Sequence, residues 1–484
     1  MGIASIAAYI NSHLKDLVNV EILDLLPLEL DVTYVINLIL QRKPDVVGVS
    51  FLTAQAPVSY RIGQILNRHG VTTVAGGIHP TVCSEEAATS GFDYVVRGEG
   101  EEAFLKIIKN LLGVFRHQND SLMVENDKKI VEAPLLRGED IPSPAWDLVD
   151  FEVPYNESIG VAEGKAVPIM YSRGCAFSCS FCASATIWHK KIRWRSEKSV
   201  VDEIVMLVEK YGIHSFHFYD DDFLVSKKHL LSFLDELKRV PLPIEWVALS
   251  TVRSICQHHD LLPLLRRAGC IGFDVGIESA DISVLKNIGK RQDVSSSKRA
   301  IELLQFYEFS YIEPLMMYFN EGETLDSIVS EMDFFKEVGL QPIDADMHQY
   351  ATPFPGTDFF KSSKYSGILF ANGWKDYRTD RVNYIPNTFL YCRLPDLEKM
   401  QTINIENILD WNKALDHDDG IFVSTKIMDY LTENNGFSGK TIKEIAELYV
   451  DQFNLTGKSE EMLVIKVVSL IAILAARSCF IDDL

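Results

Sequence analysis

From about Val167 to Tyr350 the chain alternates short β-rich runs with helical stretches six times over. That alternation is the sequence form of βα units around a parallel sheet, since parallel neighbours need a long crossover and a helix supplies it. The β-rich runs are Ala166–Tyr171, Ser215–Tyr219, Glu245–Ser250, Gly272–Ile277, Tyr311–Tyr318 and Asp344–Tyr350. Between them, Val200, Val201, Ile204, Val205 and Val208 mark one helix face, and Leu230, Leu231 and Leu234 a second helix with Ser226 as its N-cap. Asp260 and Gly269 bracket a third, short helix as cap and terminator. Ligands of parallel α/β sheets sit at the carboxyl ends of strands, so residues just after each run are the site candidates.

The first run feeds a loop containing Cys175, Cys179 and Cys182, spaced C-x3-C-x2-C. Three thiolates on so short a loop can hold three irons of a cubane cluster and leave the fourth iron open for chemistry. The same cysteines completed by His189 would form a closed Cys3His zinc site. Eight cysteines in 484 residues and no charged-then-apolar leader fit a reduced, cytoplasmic protein better than a disulfide framework.

The cysteine spacing, with aromatic Phe181 just before the third thiol, resembles the radical S-adenosylmethionine (SAM) superfamily. The resemblance implies a [4Fe-4S] cluster whose open iron chelates SAM and whose electron cleaves it to a 5′-deoxyadenosyl radical, inside a partial (β/α)6 barrel. Phe181 would lie along the adenine. Within Asp220-Asp221-Asp222, three adjacent acids cannot all point inward, and Asp221 and Asp222 are favoured to receive the SAM amino group. Ser250 and Arg253 stand where the SAM carboxylate would bind, although Arg253 reads equally well as a surface arginine.

Gly276-Ile277-Glu278-Ser279 matches a family run whose polar residues, here Glu278 and Ser279, approach the SAM ribose and carboxylate. Asn320-Glu321-Gly322-Glu323-Thr324 resembles a family turn without its proline, and Glu323 and Thr324 also fit the first turn of a helix. His348 and Tyr350, the candidate catalytic pair, face either the substrate or the barrel core.

Residues before about 115 form another α/β unit, with strand runs Asp45–Ser50, Val71–Ala75 and Tyr94–Val96. Gly76-Gly77-Ile78-His79-Pro80-Thr81 and Arg97-Gly98-Glu99-Gly100-Glu101 resemble the cobalamin (B12)-binding-type domain of one large radical SAM subclass. Gly76, Gly77 and His79 are then candidate cobalamin contacts, glycine letting the backbone approach a bulky ligand. The alternative is a Rossmann-like domain that packs against the barrel and binds nothing, and two departures give it equal weight. No Asp-x-His-x-x-Gly occurs, and the chain opens on a helix, Ile3–Leu14, followed by a strand at Val20–Leu23, where the family has an earlier strand. Either the start is truncated or the sheet has lost a central strand.

The expected architecture is α/β: a Rossmann-like doubly wound domain over 1–132, a proline-bearing linker over 133–160, the radical SAM barrel over 161–360 and a mostly helical domain over 361–484. In the last, Ile403, Ile405, Ile408, Ile442, Ile445 and Leu448 carry the helical spacing, and Met462–Ala476 is too short to span a bilayer and reads as a buried helix. A net charge of −21 argues against nucleic acid as partner. Lys190, Lys191, Arg193 and Arg195, beside Trp188 and Trp194, read as a solvated basic loop or a docking patch for a flavodoxin- or ferredoxin-type electron donor.

The expected function is radical modification of a small biosynthetic intermediate, with cobalamin-dependent methylation of an unactivated carbon preferred on family frequency. Cobalamin-independent dehydration, rearrangement or cyclisation is one alternative. A non-catalytic, zinc-stabilised binding protein is the other. Methylthiotransferases are disfavoured, because only Cys83 precedes the main cysteine loop.

Overall fold

In the computed structural model the amino-terminal segment begins with helix α1 (Gly2–Leu14), as expected, but residues 18–24 form no strand. The structure describes residues 1–15, 17–24, 31–114, 124–125, 130–151, 166–241, 243–340, 348–369, 373–377, 384–390, 444 and 447. The expected helices beyond Leu394, the segment 344–347 and Pro154 of the linker lie outside them. The chain divides into two units, one of residues 1–178, 182–275 and 303–312, the other of 179–181, 276–302 and 313–484.

In the first unit, α2 (Val32–Gln41) is started by Asp31, whose carboxylate accepts from the Thr33 N–H. β1 (Val46–Ser50), α3 (Ala56–Arg68), β2 (Thr72–Gly76), α4 (Ile78–Val82), α5 (Ser84–Thr89), β3 (Tyr94–Arg97) and α6 (Gly100–Leu112) follow. β4 (Val124–Glu125) and β5 (Ile130–Glu132) complete a sheet in the order β1-β2-β3-β5-β4, parallel except for β4.

Alternation places helices on both faces. Val47 packs with Val35, Ile36, Ile39, Ile62 and Leu66 of α2 and α3, whereas Val46 joins Val74, Val96, Ala103 and Ile107 on the α6 side. This is the doubly wound arrangement expected. Among the described residues β1 is an edge strand, half-buried or exposed at every position. The Val20–Leu23 run resembled a strand through its apolar content, but a strand exists only when a neighbour pairs with it, and among the described residues β1 pairs with β2 alone.

The same unit carries β6 (Val167–Ile169), β7 (Ser172–Arg173), α7 (Ser184–Ile187), β8 (Arg193–Trp194), α8 (Glu197–Tyr211), β9 (Ser215–Phe218), α9 (Lys227–Leu237), β10 (Glu245–Thr251), α10 (Val252–Gln257), α11 (Leu262–Arg267) and the start of β11 (Cys270–Glu278). β6, β9 and β10 run parallel in register, His217 opposite both Pro168 and Val247. Phe218, Phe223, Phe233 and Trp246 bury their rings together, with centroids 4.8–6.4 Å apart. This aromatic layer fixes which face of β9 and β10 is covered by helix. Asp260 does not cap α11: it sits in the preceding turn and pairs with Lys227.

The second unit contains α12 (Ile282–Asn287), most of α13 (Val294–Phe306), most of β12 (Tyr311–Tyr318), α14 (Leu325–Val338), β13 (His348–Tyr350), α15 (Asp358–Ser366), β14 (Gly367–Leu369), β15 (Tyr384–Pro386) and α16 (Asn387–Leu390). Thr324 and Ser327 cap the start of α14 reciprocally, which decides the helix-start reading of that turn. The larger sheet runs β6-β9-β10-β11-β12-β13, six strands as the alternation requires.

Candidate active site

The cysteine loop leaves β7 and returns through β8, which pair antiparallel, Ser172 opposite Trp194 and Arg173 opposite Arg193. Gly174 turns the chain at φ +102°, and a Cβ there would lie 2.0 Å from the Lys191 carbonyl oxygen, so no other residue fits. Cys175, Cys179 and Cys182 are all half-buried. Burial pushes the Cys175 thiol up to about 12 despite the Phe177 N–H donated to its sulfur at 3.4 Å, so a metal is needed to hold it as thiolate. In the second unit, Ser180 exchanges backbone hydrogen bonds with Ile288 and Phe359, both 2.9 Å, and Phe181 packs among Leu285, Ile288, Met317 and Phe359.

The base of the loop is tied to the first sheet. Arg173 donates to Glu99 at 2.8 Å and to Glu101 at 2.7 Å, and Arg193 donates to the other Glu99 oxygen at 2.8 Å and to the Leu136 carbonyl at 2.7 Å. Burial alone would push the Glu99 carboxyl up, but hydrogen bonds and charge from Arg193 and Arg173 outweigh it and hold it below the ordinary range. Arg195 is likewise buried, 2.6 Å from Glu203. The solvated-loop reading of this basic run is therefore corrected for Arg193 and Arg195, while Lys190 and Lys191 are exposed. Glu99 lies 94 residues from Arg193, so the run itself carries no sign of that partner, whereas Glu203 is only eight residues from Arg195.

The three aspartates after β9 point three ways. Asp220 accepts from the Tyr171 and Ser172 amides and the Ser172 hydroxyl. Asp222 accepts from the hydroxyls of Ser250, Thr251 and Ser254 and from the Thr251 amide. Asp221 alone is half-buried, held by Ser184 at 2.5 Å and the Gly174 amide beside the first cysteine.

Asp222 and Ser250, expected near the SAM amino group and carboxylate, thus hydrogen-bond each other. Ser250 shares a strand face with Trp246, the helix-covered face, and both it and Asp222 are buried in one hydrogen-bonded knot at the start of α10. Arg253 is exposed on α10.

At the end of β11, Glu278 adopts φ +69°, a conformation costly for a non-glycine residue and typical of functional strand ends. It is buried and paired with Lys290 at 2.9 Å. Ser279 is fully buried and donates to Glu331 at 2.8 Å, which commits it to packing. Burial pushes both Glu331 and nearby Glu323 well up, each raised further by acidic neighbours, so the pair favours holding a proton.

Tyr350 is buried with its ring stacked on Phe319 at 5.7 Å, the core alternative of the two. The His348 side chain lies outside the described residues. Gly76 and Gly77 end β2, and a Cβ on Gly77 would meet the Phe51 backbone at 2.8 Å. His79 is fully buried, its ring nitrogens 2.9 Å from the Tyr60 hydroxyl and 3.3 Å from that of Thr53.

One constellation escaped the motif reading. His217 Nε2 lies 2.8 Å from Asp274, which also accepts from the Tyr311 hydroxyl at 2.8 Å, and His217 Nδ1 is buried with no hydrogen-bond partner among the described residues. All three lie on strands of the larger sheet, on the face opposite Phe218. The legible signal was a titratable residue between apolar neighbours in two strands, Phe216-His217-Phe218 and Phe273-Asp274-Val275, since a lone buried charge is costly.

Residues 169–335 match the radical SAM superfamily and residues 1–108 match the B12-binding domain. The chain belongs to the radical SAM superfamily, in the subclass with a B12-binding domain. An uncharacterized methyltransferase of Pyrococcus horikoshii is 28% identical over 77% of this chain and 81% of its own length. The anaerobic magnesium-protoporphyrin IX monomethyl ester cyclase of Rubrivivax gelatinosus is 29% identical over 73% of this chain and 65% of its own. The solved structure of the cobalamin-dependent SAM radical enzyme OxsB, with aqua-cobalamin and SAM bound, shares the fold with a TM-score of 0.63 at 15% identity, covering 98% of this chain and 77% of that one.

The radical SAM domain implies a [4Fe-4S] cluster and SAM, and the B12-binding domain supports cobalamin. The donor set fits the cluster: three thiols on one loop, no fourth cysteine on that loop, and an acid, Asp221, at the loop base. For the corrin, the carboxyl ends of β2 and β3 carry Gly76-Gly77 and Gly98, and a cavity of about 580 Å³ opens beside β3, lined by Arg97, Gly98, Leu136, His189, Lys191 and Arg193. Glycine-edged strand ends and basic walls suit a ligand that is broad and carries a phosphate. Among the described residues no helix is long and apolar enough to cross a membrane.

Proposed function

We propose that this radical SAM enzyme methylates an unactivated carbon of a small biosynthetic intermediate, with cobalamin as the methyl carrier. The observation that carries the reading is the cysteine loop whose two ends, Arg173 and Arg193, are bound to Glu99 in the turn after β3 and Glu101 in the first turn of α6 of the B12-binding domain. When bound, the cluster and SAM supply a 5′-deoxyadenosyl radical and cobalamin supplies the methyl group.

The chain's own residues bind and orient. Cys175, Cys179 and Cys182 hold iron, Asp221 takes the SAM ammonium, Glu278 takes a ribose hydroxyl, and Arg253 is the candidate for the carboxylate. Gly76 and Gly77 let the corrin approach the backbone. His217, with Asp274 holding Nε2–H, offers Nδ1 as an acceptor for a substrate hydroxyl or amine.

The electron comes from an external reductant, which we assign to the flavodoxin or ferredoxin class, and the compartment is the cytoplasm. The organisation is a B12-binding domain to residue 132, a linker to 160, the radical SAM core to 360 and a C-terminal helical domain. Cyclisation is the second reading, favoured by the cyclase relative.

Anaerobic reconstitution with iron, sulfide and cobalamin, followed by SAM and a strong reductant, separates the readings. Methylation yields S-adenosylhomocysteine together with 5′-deoxyadenosine, whereas cyclisation yields 5′-deoxyadenosine alone. Cys179→Ala is expected to lose the cluster absorption and all SAM cleavage. Cleavage surviving in that variant would remove the loop from the chemistry.

A further inference from the structure

His79, Cys83 and Glu86 recur at i, i+4 and i+7, one face of consecutive helical turns. Although α4 and α5 are separate helices, hydrogen bonding runs through their junction, Cys83 N–H to the His79 carbonyl at 2.8 Å and Ala87 N–H to that of Cys83 at 3.0 Å. A nitrogen, a sulfur and an oxygen ligand atom thereby come within 4.8 Å of one another. His79 Nε2 and Glu86 Oε1 are 3.9 Å apart. Ligands of a tetrahedral ion with bonds of about 2.0–2.3 Å are roughly 3.3–3.8 Å apart, so only a small side-chain movement closes the set.

Two neighbours complete the geometry. The Tyr60 hydroxyl is 2.9 Å from His79 Nε2 and hydrogen-bonds Glu86, so it bridges the two atoms that an ion would bridge. On the other side of the ring, Thr53 Oγ1 is 3.3 Å from Nδ1, the place of the outer partner that orients a metal-binding imidazole. The set is reachable, because the Glu86 side chain is 41% exposed and Cys83 is half-buried.

We propose that His79, Cys83 and Glu86 bind a divalent zinc-class ion, with His79 ligating through Nε2. Imidazole and thiolate select a borderline transition metal over magnesium or calcium. On binding, the Cys83 S–H bond breaks, its proton passes to solvent and a metal–sulfur bond forms, with no change of oxidation state. The ion would staple α4 to α5 directly behind the Gly76-Gly77 turn. His79 then serves the B12-binding domain by fixing that turn, not by touching the corrin.

The test uses anaerobic holoprotein, its cluster in place so that Cys175, Cys179 and Cys182 are committed to iron. Equilibrium dialysis against zinc, read by metal mass spectrometry, is expected to give one zinc per chain, and zinc-edge X-ray absorption one sulfur ligand. Cys83→Ser should abolish that equivalent while Cys256→Ser keeps it. Thr53→Val should weaken it by about 10–100-fold. Glu86→Gln, at a half-exposed position, should lower affinity without shifting the unfolding midpoint measured in chelator, which covers the case in which the cysteine variant fails to fold. Holoprotein that takes up no zinc, or an unchanged zinc equivalent in Cys83→Ser, overturns the assignment.

Discussion

Two acidic clusters lie within the first unit, and they are neutralised in opposite ways. Glu99 and Glu101 are met by two guanidinium groups, whereas Asp220 is met only by neutral donors, two amides and a hydroxyl. Both are buried. The full positive charges overcome desolvation and hold Glu99 below the ordinary carboxylate range. Against Asp220, burial wins over the hydrogen bonds from Ser172 and Tyr171 and pushes it up to about 6. Two buried carboxylates with unequal partners, Asp220 the more deeply buried, therefore give opposite responses to pH.

Breaking the charged cluster should have the largest effect. Glu99→Ala leaves Arg173 and Arg193 buried without their shared partner, which costs about 3–5 kcal/mol, measurable by urea unfolding of the apoprotein. A loss below about 1 kcal/mol would mean that the arginines find other acceptors and that the contrast drawn here is wrong. The neutral cluster should respond less: Asp220→Asn cannot accept all three hydrogen bonds, at a cost of about 1–3 kcal/mol.

The pH dependence sharpens the same contrast. Glu99, its folded value lowered, contributes stability that is present above the unfolded carboxylate value of about 4.3 and is lost as pH falls through the lowered folded value. Asp220 does the reverse. Its contribution is complete below its unfolded value of about 3.9 and is lost as pH rises through about 6, so the penalty of Asp220→Asn should shrink between pH 4 and pH 7. A penalty that grew over that interval would reverse the assignment. At the smallest end stands the exposed pair Arg137–Asp140, 2.7 Å apart. Solvent screens it, and Arg137→Ala should leave the unfolding midpoint unchanged.

Much of this molecule was legible in its sequence, and the failures have physical reasons. β12 spans Tyr311–Tyr318, the apolar run as read, because a strand bounded by turn residues and long enough to cross the sheet leaves little choice of ends. The cysteine loop and the doubly wound first sheet were legible for the same reason: local spacing and alternation carry them. Val20–Leu23 failed because a strand is a property of pairs.

Asp222 and Ser250 show a different limit. Motif position tells where along a strand a residue falls, but the face is set by Trp246, whose ring joins the aromatic layer under the helices and takes Ser250 with it. The Arg173 and Arg193 partners were invisible, and of the His217–Asp274–Tyr311 chain only single titratable residues between apolar neighbours were legible, because the members are brought together only by tertiary folding.

The link from Glu99 to Arg173, two residues before the first cysteine, carries a practical consequence for building hybrids. A graft that exchanges the first 132 residues for those of a cousin would carry away the acids while leaving their guanidinium counterparts behind. Donor and recipient would have to be chosen as matched pairs, or the arginines transplanted along with the segment that answers them.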